Sequence, residues 1–241
     1  MFFEEKIKSV KENDKVLEIG PGSFPHPRAD VFLELKFETE KEAKEQRGDA
    51  EKTEFSKPVI YYDGKEFPFK DNEFDYVICS HVLEHIPVDR IFLFLSEMQR
   101  ISLAGYIEFP RVFYELTRAP KVHLSMLNAK DKTILILDKN DHCDTNILKL
   151  MRSFYNHNDP HAKIYEYYKD FFFVGFEWQK GEINHCFVKD INELISAEEF
   201  DEFNKYFKQK QHRLLSIYSF EEVCRQKFKH KPFKFIKELF K

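Results

Sequence analysis

Two segments of this sequence place polar and flexible residues at spacings that suit ligand chemistry. The first is Leu17-Glu-Ile-Gly-Pro-Gly22, an apolar run passing directly into a Gly-x-Gly turn. Glycine in such a turn admits a positive φ, or lets a ligand approach the backbone more closely than a Cβ would permit. The second runs from Asp63 through Asp75 to Ser80, His81 and His85. Its two imidazoles titrate near neutral pH and are candidates for proton transfer. Between the segments, Glu34 and Asp63 fall at the ends of apolar runs. A carboxylate at the first position can accept from a pair of ribose hydroxyls, and one at the second from an adenine amino group.

The turn alone fits a dinucleotide or S-adenosylmethionine. A dinucleotide site asks for a third glycine and a helix whose N-terminus receives the pyrophosphate. Here the chain continues Ser23-Phe-Pro-His-Pro27, and each proline biases the residue before it, Phe24 and His26, away from helical backbone angles. About fourteen residues separate Gly20 from Glu34, short of the roughly twenty between a dinucleotide fingerprint and its ribose-binding acid. A cofactor without a pyrophosphate fits better.

Elements must hold these residues together. Apolar runs predict strands over 15–19, 31–35, 59–62, 76–79 and 105–109, and the 88–101 stretch has helical spacing at Ile91, Leu95, Met98 and Ile101. Strands alternating with helical or charged connectors indicate a parallel sheet with covering layers, whose ligands bind outside the carboxyl ends of the strands. Residues 2–12 read as helix-like, and the Glu- and Lys-rich stretch 38–54 reads as a solvated helix or loop. Hairpins are expected from 123–127 with 133–137, and from 171–178 with 182–188. Asp144 is placed to cap a helix with the stripe Ile147, Leu148, Met151 and Phe154, and the chain from 191 onward reads as helical.

Composition narrows the classes. With 241 residues, 27 Phe, 11 Tyr and 42% hydrophobic residues, the chain can bury a substantial core and is not a disordered segment. Only 7 glycines occur, where average usage gives about 17. No apolar run approaches the roughly 20 residues of a spanning helix, and the start lacks a basic-then-apolar leader; a soluble cytoplasmic protein is expected. The net charge of -4 gives no strong nucleic-acid signal. The four cysteines stand singly, so neither a disulfide framework nor a zinc site is expected, and no metal ligands are assigned.

The block from Asp63 to His85, of the form D-x-x-x-F-P-F-x-D-x-x-F-D followed by H-V-L-E-H, together with Leu-Glu-Ile-Gly-Pro-Gly, resembles class I S-adenosylmethionine-dependent methyltransferases of the type 11-like group. The motifs span about residues 15–110. The resemblance implies a Rossmann-like three-layer sandwich with a mostly parallel seven-stranded sheet, its seventh strand antiparallel and supplied by 171–188, plus a hairpin inserted after strand five. It also implies that Glu18, Gly20 and Gly22 surround the methionine portion of the cofactor, that Glu34 binds the ribose, and that Asp63 with Gly64 holds the adenine. Ser80 and His81 would sit near the methionine amine and the transferred methyl. The sequence departs from the pattern around Phe24-Pro25, where the third glycine is missing.

On this reading residues 1–190 form the cofactor-binding domain, with 111–138 as acceptor-recognition element, and 191–241 form a basic helical extension able at most to touch a membrane surface. The expected reaction is methyl transfer to an O or N atom of a small molecule or saccharide precursor, with His81 and His85 as catalytic residues. Glu108, Tyr114 and His123 are further candidates for a base. The alternative is a non-catalytic module that binds the cofactor.

Overall fold

In a computed structural model that describes residues 1–47, 55–118, 120–139 and 162–217, the five apolar runs form the parallel part of one sheet. They are β1 (Val16–Ile19), β2 (Val31–Leu35), β3 (Val59–Tyr62), β4 (Phe74–Ser80) and β5 (Ser102–Pro110). A later strand, β8 (Phe173–Gln179), lies antiparallel against β5, giving the order β3-β2-β1-β4-β5-β8. β1 and β4 sit at the centre, which is why their sequences are almost continuously apolar.

Alternation along β4 sorts its side chains to two faces. Val77 and Cys79 pack with the helix α2 (Ile91–Ile101) through Ile91, Leu95 and Met98. Tyr76 and Ile78 face the other way and meet Phe3, Tyr106, Tyr165 and Phe172. The second face is therefore covered by the start of the chain and by two short helices, α4 (Ala162–Tyr167) and α5 (Lys169–Phe172). The first nine residues hold to β8 in particular: Lys6 Nζ donates to the Gly175 carbonyl at 3.1 Å, and the Lys8 and Ser9 amides donate to Glu177 Oε1 at 2.9 and 2.8 Å. Phe2 stacks on Phe173 with ring centroids 3.9 Å apart. Gly175 is required here because the Tyr106 ring occupies the place a Cβ would take.

A second sheet holds β6 (Ser125–Lys130), β7 (Thr133–Asp138) and β9 (Asn184–Phe187). β6 and β7 make the expected hairpin, turning through Asp131 and Lys132 at φ 50 and 60, the positive angles of a tight two-residue connection.

Several expectations change. The 171–188 region does not form a hairpin: β8 completes the large sheet while β9 pairs in parallel with β7. Among the described residues the large sheet consequently has six strands, not seven, because the run expected to extend it joins the smaller sheet. Residues 2–12 contain one 3-10 turn, Glu4–Lys6, in place of a helix, because their backbone amides are taken by Glu108 and Glu177. The charged stretch yields α1 (Glu40–Arg47), and a short helix α3 (Val112–Thr117) follows β5. The helix capped by Asp144 and the basic stretch from Arg225 to the end lie outside the described residues.

The chain divides into two compact units, 1–194 and 195–241. Within the second, α6 (Ala197–Ile217) opens with Glu198 and Glu199 in its first turn. Among the described residues no helix is long and apolar enough to cross a membrane.

Candidate functional site

At the carboxyl ends of β1, β2 and β4 lies a cavity of about 360 Å³, within the roughly 300–1,000 Å³ range of small-molecule sites. Gly20, Gly22, Glu34, Ser80 and His81 line it, together with Tyr62. No helix follows β1; residues 20–30 run as turns and bends, in keeping with the two X-Pro steps. The Arg28 guanidinium braces this segment by donating to the carbonyls of Lys11, Glu12 and Asp14 at 2.7–2.8 Å. Gly20 is pinned to β2 by its amide, which donates to the Leu33 carbonyl at 2.9 Å.

Three residues expected at the ligand are placed differently. Glu18 is buried beneath the turn, where Oε2 accepts from the His26 amide at 2.8 Å; it anchors the loop and does not line the cavity. Asp63 and Gly64 also stand outside the lining. The Asp63 carboxylate turns to solvent and takes the Lys65 amide at 3.2 Å and the Lys65 ammonium at 3.4 Å, a local turn contact available without any ligand.

Burial pushes the Glu18 carboxyl up to about 7, against the opposing His26 amide and the positive charges of the chain terminus and Lys57. A folded state that keeps its proton to about pH 7, when the unfolded chain releases it near 4.5, binds more protons in between. Stability from this group therefore falls as pH rises through that interval, by about 3 kcal/mol in all. Glu18→Gln keeps an acceptor for the His26 amide, so denaturant unfolding at pH 8 should show the variant more stable than the parent, and the difference should vanish near pH 4.5. Equal stabilities at both pH values would refute this account.

His81 closes β4 at φ 58, an uncommon angle for a residue with a Cβ. Its amide donates to the Glu108 carbonyl at 2.9 Å, Nε2 meets Glu108 Oε1 at 3.0 Å, and Nδ1 pairs with Glu84 Oε1 at 3.3 Å. Burial opposes a charge on the ring, but the two carboxylates outweigh it and raise the pKa to about 9. Both nitrogens are engaged, so His81 orients the strand end and does not serve as a free base. Glu108 is equally committed: besides His81 it accepts from the Phe2 and Phe3 amides at 2.7 and 3.1 Å, from the Tyr106 hydroxyl at 2.6 Å and from Ser80 Oγ at 3.3 Å. Burial works against its charge, yet these bonds hold the carboxyl down at about 2.

His85 is placed by the turn that follows β4. It ends a 3-10 turn, Leu83–His85, and lines both the first cavity and a second of about 350 Å³. The second cavity is walled by Phe2, Tyr114, Tyr165 and Phe173, with His81, Glu84 and His123 also facing it. A constellation absent from the sequence reading appears there: one ligand atom each from Glu84, His85 and His123 lies within 4.8 Å of the others. His-Val-Leu-Glu-His contains two of these residues, but nothing in the sequence couples them to His123; the Leu124 amide does so by donating to the Glu84 carbonyl at 2.7 Å.

Residues 31–105, running from β2 into β5, match the family model described as "Methyltransferase domain". Over this segment the chain is similar to methyltransferase domains. The matched segment contains Glu34, Asp63, Ser80, His81 and His85, and lies just after the Gly20–Gly22 turn. No curated protein matches the sequence. Solved structures similar to this chain include the Haloferax volcanii Trm112 methyltransferase activator in complex with a protein described as a methyltransferase, at 14% identity over 74% of this chain and 86% of that chain, with a TM-score of 0.42. A Bacillus halodurans C-125 protein described as a methyltransferase matches at 17% identity over 72% and 92%, TM-score 0.35. A Methanosarcina mazei SAM-dependent methyltransferase matches at 17% over 50% and 68%, TM-score 0.32.

Proposed function

We propose that the protein transfers a methyl group from S-adenosylmethionine to an O or N atom of a small molecule or saccharide precursor. The carrying observation is the first cavity, which joins two positive-φ glycines to a buried carboxylate at adjacent strand ends. Its residues fit the cofactor. Glu34, 6% exposed and bordering the cavity, is suited to the two ribose hydroxyls. Gly22, with open space where a Cβ would stand, leaves room at the turn for the methionine portion, and Tyr62 offers an apolar wall for the adenine. Asp63 reaches the adenine only by leaving Lys65.

The cofactor supplies an electrophilic methyl on sulfur. In-line displacement asks the protein chiefly to align the acceptor and exclude water. The second cavity, sharing His81 and His85 with the first, is the acceptor side on this reading. His81 positions the junction, and His85 is the ring that reaches the acceptor. We place the protein in the cytoplasm, with 1–190 as the catalytic domain and 191–241 as its extension.

Calorimetry with S-adenosylmethionine tests the cofactor site. Glu34→Ala should weaken binding roughly 10- to 150-fold, the range for losing hydrogen bonds to a charged group, while Asp63→Ala leaves it nearly unchanged. No binding to folded parent protein, or the reverse ranking, would sink the assignment. Acceptor screening by mass spectrometry, reading the mass gained when methyl replaces hydrogen, then tests transfer.

One observation favours a second reading, a cofactor-binding module without turnover: His81 and Glu108, both candidate bases, are saturated by internal contacts. Release of S-adenosylhomocysteine in cell extract, lost in Glu34→Ala, would exclude it.

A further inference from the structure

We propose that Glu84, His85 and His123 bind a divalent first-row transition metal of zinc type at the wall of the second cavity. The placement comes from the backbone. Glu84 and His85 share the 3-10 turn after β4, and the Leu124-to-Glu84 hydrogen bond lays the start of β6 across that turn. His123 is thereby brought edge-to-face against His85, with ring centroids 4.7 Å apart.

Three features point to a cation. The Glu84 side chain is 1% exposed; among the described residues neither of its oxygens has a hydrogen-bond partner, and its ion pair is the 3.3 Å contact with His81. The His81 imidazolium is shared with Glu108, so two buried carboxylates face one positive charge, which is costly unless a further cation is present. His85 Nδ1 is likewise buried without a partner, which leaves that atom available to an ion. His123 Nδ1 bonds Glu115 Oε1 at 2.5 Å, and Glu115 is in turn paired with Lys139 at 2.9 Å. A carboxylate accepts at this contact, so the ring hydrogen sits on Nδ1 and Nε2 presents its lone pair. Metal-binding histidines are oriented by a carboxylate in this same way.

The donor set selects the ion. Two imidazoles and one carboxylate suit zinc and its neighbours, with a fourth position left open, and do not suit magnesium or calcium, which take oxygen ligands. Adjacent ligands of a tetrahedral zinc with bonds of 2.0–2.1 Å stand about 3.3 Å apart; one ligand atom of each of the three side chains already lies within 4.8 Å of the others, so closing around an ion asks only for side-chain rotation. The open position faces the cavity. Resting on the methyl-transfer reading, the ion there would hold an acceptor hydroxyl and ease its deprotonation; metal binding itself does not depend on that reading.

The test uses full-length protein stripped with a chelator and titrated with zinc sulfate by calorimetry and with cobalt(II) by visible absorption. One equivalent should bind, raise the melting temperature, and give the d–d bands of a four-coordinate cobalt site, with magnesium producing neither effect. His123→Ala should remove the binding, and Glu115→Gln, which replaces no ligand but loosens the His123 ring, should weaken it about 10- to 100-fold. Absence of one-equivalent binding in the parent protein overturns the proposal, whatever the variants do. So does zinc binding that survives His123→Ala in folded protein, since the ion would then sit elsewhere, for example at the exposed Cys186. These readouts require no methyl transfer, so a failure of the catalytic reading would leave them intact.

Discussion

Gly20→Ala is expected to weaken S-adenosylmethionine binding at least about 30-fold in a protein that stays folded. Gly20 has φ 63, and a Cβ there would stand 2.5 Å from Val82 Cγ2. The left-handed angle alone costs a residue with a Cβ about 1–2 kcal/mol, and crowding into packed surroundings adds about 1–3 kcal/mol. Neither side yields easily. Gly20 is bonded to β2 through Leu33, and Val82 is β-branched with restricted χ1 freedom. Relief must come from the turn or from the His81–Val82 backbone, both of which border the cavity. Gly22, at φ 57 with nothing within 4 Å of its would-be Cβ, carries only the angular strain, so Gly22→Ala should be milder. Adding Val82→Ala to Gly20→Ala should restore part of the affinity. Calorimetry on variants with native circular dichroism decides the matter, and affinity within threefold of the parent for Gly20→Ala would refute this picture of the turn.

Glu108→Ala should produce the largest loss of stability, about 3–5 kcal/mol, by leaving buried donors and the His81 ring without their shared acceptor. For a chain of this size that corresponds to a fall in melting temperature of roughly 10 °C. Because the carboxyl is held down at about 2 in the folded protein, its contribution is full above pH 4.5 and disappears as pH falls toward 2. Glu108→Gln should recover only a small part, since its amide hydrogens would face the donors of Phe3, Tyr106 or His81. The variant should also free the chain start, so that limited proteolysis near Phe2 and Phe3 accelerates. A melting temperature within 2 °C of the parent would show that these bonds contribute little.

The parallel strands were legible because buried central strands are written as short apolar runs, and β2 and β3 have the bounds their sequences predict. Gly20 and Glu34 could be placed for the same reason: each sits at a strand's carboxyl end, where topology puts the cavity. Glu108 was visible as a carboxylate within an apolar strand, but its donors come from residues 2, 3, 80, 81 and 106, and no local pattern announces that convergence. His123 depends on one backbone hydrogen bond from its neighbour Leu124 to a turn about forty residues earlier. The partner of β9 was likewise hidden, because parallel pairing with β7 is set by tertiary packing and leaves the same alternation as an antiparallel hairpin. Asp63 is a different case: its position at the end of β3 was read correctly, but its side chain had a neighbouring lysine and a local amide to satisfy it.

The seating of the first nine residues on β8 also dictates an order of events during synthesis. Lys6, Lys8 and Ser9 wait for Gly175 and Glu177, which leave the ribosome on the order of ten seconds later. Until then one face of the nascent sheet, including Tyr76 and Tyr106, lacks its cover, and β5 presents an unpaired edge open to other chains. Residues 2–9 are thus among the last to settle although made before the strand they hold to, and the β5 edge is the place where chaperone binding or misassociation of unfinished chains should concentrate.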